Sequence, residues 1–244
     1  MKISDNNLLN SMKNLFRDFS RILFPKCCPI CHKALVDGEE FLCLECLWKI
    51  PRTDYQFNQE NELIQKIVDI KAPIEKAVAF FFYKNSNPYS RLIRDAKYNG
   101  RPHINLQLAR RYATELQSSG FFDDIDIIIP VPIHWLKRLR RGYNQTDYIA
   151  QGLSEVTGIA VANNLRAAKR HKTQTHKTGK ERQSTLLNIF VVDKPDELVG
   201  KHVLLVDDVI TTGSTIVTCA RALHDVVADL KLSVISLATT RLEI

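Results

Sequence analysis

Apolar and polar residues change rhythm several times along this chain. Leu8, Met12, Leu15, Phe16, Phe19, Ile22 and Leu23 recur at helical spacing, with Lys13, Arg17 and Arg21 among them. The spacing predicts an amphipathic helix over residues 1–23, docked on its own domain; a membrane surface is the other use of such a face. Residues 24–50 carry cysteines in place of a periodic pattern. Residues 51–76 are polar, with one short helical pattern at Leu63, Ile67 and Ile70, and read as a linker. From residue 77 the rhythm alternates between strand and helix. Strands are expected at 78–83, 126–131, 203–206 and 233–238, and helices at 89–98, 104–116, 143–155 and 215–227. The isoleucine-rich run 126–131 reads as a strand buried on both faces. Strands alternating with helices predict a parallel sheet with crossover helices over 77–244.

Composition narrows the class. At 244 residues, 45% hydrophobic and 25% charged, the chain can bury a proper core and is not a disordered or low-complexity sequence. No apolar run approaches the ~18 residues of a membrane span, and the first ten residues lack the pattern of a secretory signal. The expected location is the cytoplasm. The net charge of +7 is local: eleven Lys and Arg face three Asp and Glu between His134 and Arg182. That excess points to an anionic partner.

The densest chemistry is Val203-Leu-Leu-Val-Asp-Asp-Val-Ile-Thr-Thr-Gly-Ser-Thr215. Four apolar residues predict a buried strand, two acids mark its carboxyl end, and a hydroxyl-rich loop enters a helix. Ligands of open α/β sheets bind at that end of the strands. Gly213 lets the backbone turn its N–H groups towards a phosphate, and Thr211, Thr212, Ser214 and Thr215 add hydroxyls at a helix N-terminus. Two carboxylates would repel that phosphate, so Asp207 and Asp208 are expected to face ribose hydroxyls, with a divalent ion nearby. A second candidate loop, Pro130-Val-Pro-Ile-His134, runs into the basic cluster 137–141. It is either a binding loop or a rigid strand exit followed by a solvated helix face.

Cys28-x2-Cys31 and Cys43-x2-Cys46 lie within 19 residues. Two such knuckles supply four thiolates for tetrahedral Zn²⁺ and leave no open catalytic position, which predicts structural zinc. Cys27 and His32 adjoin these ligands as alternatives, and Cys219 reads as a buried small apolar residue.

The 203–215 segment resembles the phosphoribosyl pyrophosphate (PRPP) signature of type I phosphoribosyltransferases. The resemblance implies that Asp207 and Asp208 hold the ribose 2′- and 3′-hydroxyls and that Thr211, Thr212, Gly213, Ser214 and Thr215 wrap the 5′-phosphate. It also implies a second loop for pyrophosphate and Mg²⁺, with Val131, Pro132, Arg138, Arg141, Asn144 and Gln145 as candidates. Thr211 stands where the 6-oxopurine branch carries a carboxylate, which argues against a hypoxanthine or guanine substrate. Met1-Lys2 offers no amino-terminal cysteine nucleophile for a glutamine amidotransferase.

Leu23-Phe-Pro25, the two cysteine knuckles, Lys97-Tyr-Asn-Gly100, Pro130-Val-Pro-Ile-His134, Arg141-Gly-Tyr-Asn-Gln145, Thr173-Gln174, Arg182, Asn188 and Phe190 add a wider likeness. With the 203–215 segment, they resemble the ComF family of DNA-uptake helpers over about residues 22–240. This implies a type I phosphoribosyltransferase fold preceded by a small four-cysteine zinc-ribbon module over 24–50. Two functions follow. One is an enzyme transferring phosphoribose from PRPP to an unidentified acceptor, with a role in natural transformation. The other is a PRPP- or nucleotide-sensing module whose basic segment engages single-stranded DNA or a competence helicase. Tyr143, Asn144 and Gln145 are placed to reach a base edge or the pyrophosphate, and 166–182 reads as a loop over PRPP or against a nucleic-acid backbone.

Overall fold

A computed structural model describes residues 25–168, 189–227 and 229–242. The helix expected before residue 24 and the basic residues from 169 to 182 lie outside them. The chain divides into two units, residues 1–50 and 51–244.

In the first unit, Cys27 bridges to Ala34 in antiparallel fashion, and Cys28 N–H donates to the Lys33 carbonyl at 2.9 Å. A short helix, α1 (Leu44–Trp48), follows the second knuckle; Cys43 caps it, its sulfur accepting the Cys46 N–H. Glu39 fixes the connecting turn by accepting the Leu44 and Val36 N–H groups at 2.7 and 3.0 Å.

The second unit is built on five parallel strands. They are β1 (Lys76–Phe82), β2 (Ile127–Pro130), β3 (Ala160–Val161), β6 (His202–Ile210) and β7 (Lys231–Thr239), in the order β1-β7-β6-β2-β3. The helices are α2 (Glu62–Ile67), α3 (Pro88–Tyr98), α4 (His103–Gln117), α5 (Trp135–Arg141), α6 (Gln145–Thr157) and α7 (Ser214–His224). β4 (Leu165–Ala167) and β5 (Phe190–Val192) form a separate antiparallel pair. The sheet interior is dry: Leu204, Leu205, Val206, Val234 and Ile128 have no exposed surface. Each such burial is worth about 1.5–3 kcal/mol. On α6, Gly152 permits close packing against α4, because a Cβ there would lie 2.5 Å from the Leu106 carbonyl oxygen.

Two of the following features depart from the sequence pattern, and the helix at 135–141 matches one of its two alternatives. β6 continues through the two acids to Ile210, because β7 pairs with it that far: Asp207 with Ser236 and Ile210 with Thr239. The basic run 135–141 is a helix with no buried residue, as a solvated face would be. The stretch 51–76, expected as a linker, packs into the second unit. Leu63 and Ile67 of α2 are fully buried, and Asn61 donates to the Ala77 carbonyl at 2.9 Å while capping α2. Arg52 forks onto Glu115 at 2.8 and 2.9 Å. A polar stretch of this kind hides its docking because few apolar side chains carry it.

Candidate functional site

The chain leaves β2 towards β3 and leaves β6 towards β7, on opposite sides. Ligands of open sheets bind at the carboxyl ends of strands that diverge in this way. Pro130 pairs with Val206, and the Val131 N–H donates to the Val206 carbonyl at 2.9 Å. The loop after β2 therefore lies beside the acids of β6.

Asp207 and Asp208 each turn back on the strand. Asp207 Oδ1 accepts the Asp208 N–H at 2.8 Å, and Asp208 Oδ1 accepts the Val209 N–H at 2.7 Å. Asp208 is 7% exposed. Burial pushes the Asp207 carboxyl up to about 7; the neighbouring Asp208 charge adds to this, and the Asp208 N–H and Lys97 oppose it. Lys97, in the last turn of α3, places Nζ 2.8 Å from Asp208 Oδ2 and 3.1 Å from Oδ1.

Asp207 and residues 209–216 line a recess. Thr211, Thr212, Ser214 and Thr215 are exposed on it, and the Thr212 and Ser214 hydroxyls are 3.1 Å apart. Gly213 has φ +77° and no side-chain cap, so the first-turn N–H groups of α7 are left for a ligand. A Cβ on Gly213 would meet Ile67 Cγ2 at 2.7 Å and the Lys66 carbonyl oxygen at 2.9 Å, so α2 forms the back of this loop. Lys66 Nζ donates to Thr240, whose hydroxyl donates to the Thr211 carbonyl at 3.3 Å.

The second loop is held from α6. The Val131 carbonyl accepts the Thr146 hydroxyl at 2.7 Å and Asn144 Nδ2 at 3.2 Å. Asn144 Oδ1 and Gln145 Nε2 are buried without a protein hydrogen-bond partner. Burial pushes the Asp147 carboxyl up, opposed by Asn144 Nδ2 and Arg138. Arg138 is exposed, whereas the Arg141 guanidinium lies 5.1 Å above the Tyr98 ring. Tyr143 is committed elsewhere, its hydroxyl donating to the Ala96 carbonyl at 2.6 Å. Pro132 sits half-buried between the strand end and α5.

The structure thus brings together the acids, the hydroxyl loop, Val131 and Asn144. Sequence reasoning gave Lys97 no role. Its signal was the Lys97-Tyr-Asn-Gly100 run, whose function appears only when the last turn of α3 meets β6. A wider cleft of about 220 Å³ opens at the opposite end of β1, between carboxamides such as Gln56 and Asn61. It lies away from this chemistry.

In the first unit, the sulfurs of Cys28, Cys31, Cys43 and Cys46 all lie within 4.8 Å of one another. Tetrahedral zinc with ~2.3 Å bonds sets its sulfurs roughly 3.8 Å apart, so the four thiols fit that ion. No helix among the described residues is long and apolar enough to cross a membrane.

The phosphoribosyl transferase domain family matches residues 105–240. Competence protein F of Haemophilus influenzae is 36% identical over 134 residues, 53% of this chain and 58% of that protein. DNA utilization protein YhgH of Salmonella typhimurium is 33% identical over 141 residues, 56% of this chain and 61% of that protein. The chain therefore spans about three fifths of the length of those two relatives. YhgH of Escherichia coli K12 is 29% identical over 204 residues, 80% of this chain and 83% of that protein.

Proposed function

This chain belongs to the phosphoribosyl transferase domain family, and we propose that it binds the Mg²⁺ complex of PRPP and transfers the phosphoribosyl group to an acceptor. The observation that carries this reading is the acid pair, Asp208 buried and Asp207 half-buried, beside the hydroxyl-rich loop and bare N-terminus of α7, next to the loop after β2. Asp207 and Asp208 accept the ribose 2′- and 3′-hydroxyls, and Thr211–Thr215 take the 5′-phosphate. The orphaned Asn144 Oδ1 and Gln145 Nε2, with Val131, Pro132, Arg138 and Arg141, serve the pyrophosphate side. The acceptor forms a bond to the anomeric carbon as its bond to pyrophosphate oxygen breaks, and pyrophosphate leaves with the electron pair. Fixed donors and cations around that developing charge supply the catalysis. Zinc on Cys28, Cys31, Cys43 and Cys46 supplies folding energy to the first unit.

One observation favours a second reading, a polyanion-binding module related to DNA uptake. Helix α5 buries none of its residues, exposes Trp135, Leu136 and Leu139, and carries Lys137, Arg138, Arg140 and Arg141. On single-stranded DNA, such contacts give affinity that falls steeply with salt.

Calorimetric titration of the zinc-loaded protein with PRPP and Mg²⁺ tests the first reading. Wild type is expected to bind, and Asp207→Asn/Asp208→Asn to lose binding by at least about 100-fold. No heat from wild type, together with salt-sensitive DNA binding that the α5 charges control, would move the second reading ahead.

A further inference from the structure

The last turn of α3 meets three otherwise separate segments of the chain. The Tyr143 hydroxyl donates to the Ala96 carbonyl, the Arg141 guanidinium covers the Tyr98 ring, and between them Lys97 spans both oxygens of Asp208. Adjacent half-buried carboxylates repel one another, and burial favours neutralising one of them by a proton. A protonated carboxyl is a poorer acceptor for a sugar hydroxyl. The groups around the pair are few among the described residues. Lys97 reaches it from α3, and the Cys219 thiol approaches Asp207 from α7, held protonated by burial and by the Asp207 charge. β7 brings Ser236 alongside Asp207, and β2 presents Pro130 and Val131, none of which titrates.

We propose that Lys97 is a positioning residue of the ribose-diol subsite: its ammonium holds the Asp208 carboxylate and offsets the charge of the acid pair, so that both become acceptors for PRPP at a lower pH than they would without it. This rests on the PRPP reading above. The short fork to Asp208, 25% and 10% exposed on its two sides, is desolvated enough to matter. Burial and the Asp208 charge raise the Asp207 carboxyl, while Lys97 pulls it down. Loss of Lys97 should therefore move protonation of the pair upward.

The test is PRPP–Mg²⁺ calorimetry from about pH 6 to about pH 9 on wild type, Lys97→Met and Lys97→Arg, with thermal melts to confirm folding. Wild-type affinity is expected to fall on acidification through about 7. Lys97→Met should lose about tenfold or more at neutral pH, with the fall displaced upward by about one pH unit, and should recover in part at alkaline pH. Lys97→Arg should keep the wild-type midpoint. A Lys97→Met midpoint equal to wild type overturns the proposal, whether or not affinity drops. Wild type that binds no PRPP at any pH removes the earlier reading. Carboxyl titration of the ligand-free proteins by ¹³C NMR then decides on Lys97 alone: an upward shift in Lys97→Met supports the proposal, and no shift overturns it.

Discussion

Cys28, Cys31, Cys43 and Cys46 come from 19 consecutive residues, whereas Lys97, Val131, Asn144 and Asp208 come from four segments spread over more than a hundred. Both sites gather groups that repel once ionised. Among the described residues of the cysteine module, Leu42 and Ile50 are the buried apolar side chains beside the cysteines, too few to force four thiolates together, so a cation from outside is the expected counter-charge. The acid pair sits on a strand already buried by its neighbours, and its counter-ion is the chain's own Lys97. One site makes its scaffold, and the other is made by it.

Removing the metal is the severest test of that contrast. Structural zinc contributes ~10–16 kcal/mol to small thiolate-ligated units. Chelation, or Cys43→Ser, is expected to abolish protection of amides 25–50 in hydrogen exchange. The strands of 51–242 should stay protected, and equal loss in both units would erase the distinction.

A smaller effect probes the scaffold behind the hydroxyl-rich loop. Gly213→Ala forces a side chain into the left-handed region and against Ile67 and the Lys66 carbonyl. The expected cost is about 1–3 kcal/mol, read as a lower melting temperature. Adding Ile67→Ala should leave the backbone strain in place and fail to restore it.

The smallest effect concerns the acid pair. The folded Asp207 carboxyl titrates near 7, above its ordinary 3.8. Its contribution to stability is therefore intact below about 4 and is lost as pH rises through about 7. Asp207→Asn should match wild type near pH 4 and exceed it by about 1 kcal/mol near pH 8 in urea unfolding. A gap that does not grow with pH would mean that Asp207 bears no such burden.

The same contrast explains what could be read before the structure was known. The cysteine spacing is a complete local description, so the ligand set is visible in one line of sequence, and 4.8 Å among the sulfurs agrees with it. The parallel sheet was legible because buried strands such as Val203–Val206 are continuous apolar runs. The end of β6 was not, because Asp207 and Asp208 interrupt that run while β7 continues to pair. Lys97 and Lys66 act through tertiary contacts to residues more than a hundred positions away, which no periodicity encodes. The helical pattern of α2 was visible at Leu63 and Ile67, but its docking was not, for a related reason: two buried apolar residues and a capping asparagine do it.

The wall that α2 builds behind Gly213 bears on how such a protein can be cut or recombined. The matched stretch 105–240 omits β1, Lys97, Lys66 and Asp69, whose carboxylate pairs with Arg221 of α7 at 2.6 Å. A graft confined to that stretch would carry the signature but leave behind an edge strand, the acids' counter-ion and the loop's support. The transferable cassette begins at residue 51, and a recombination junction inside 51–104 would separate the motif from the parts that make it work.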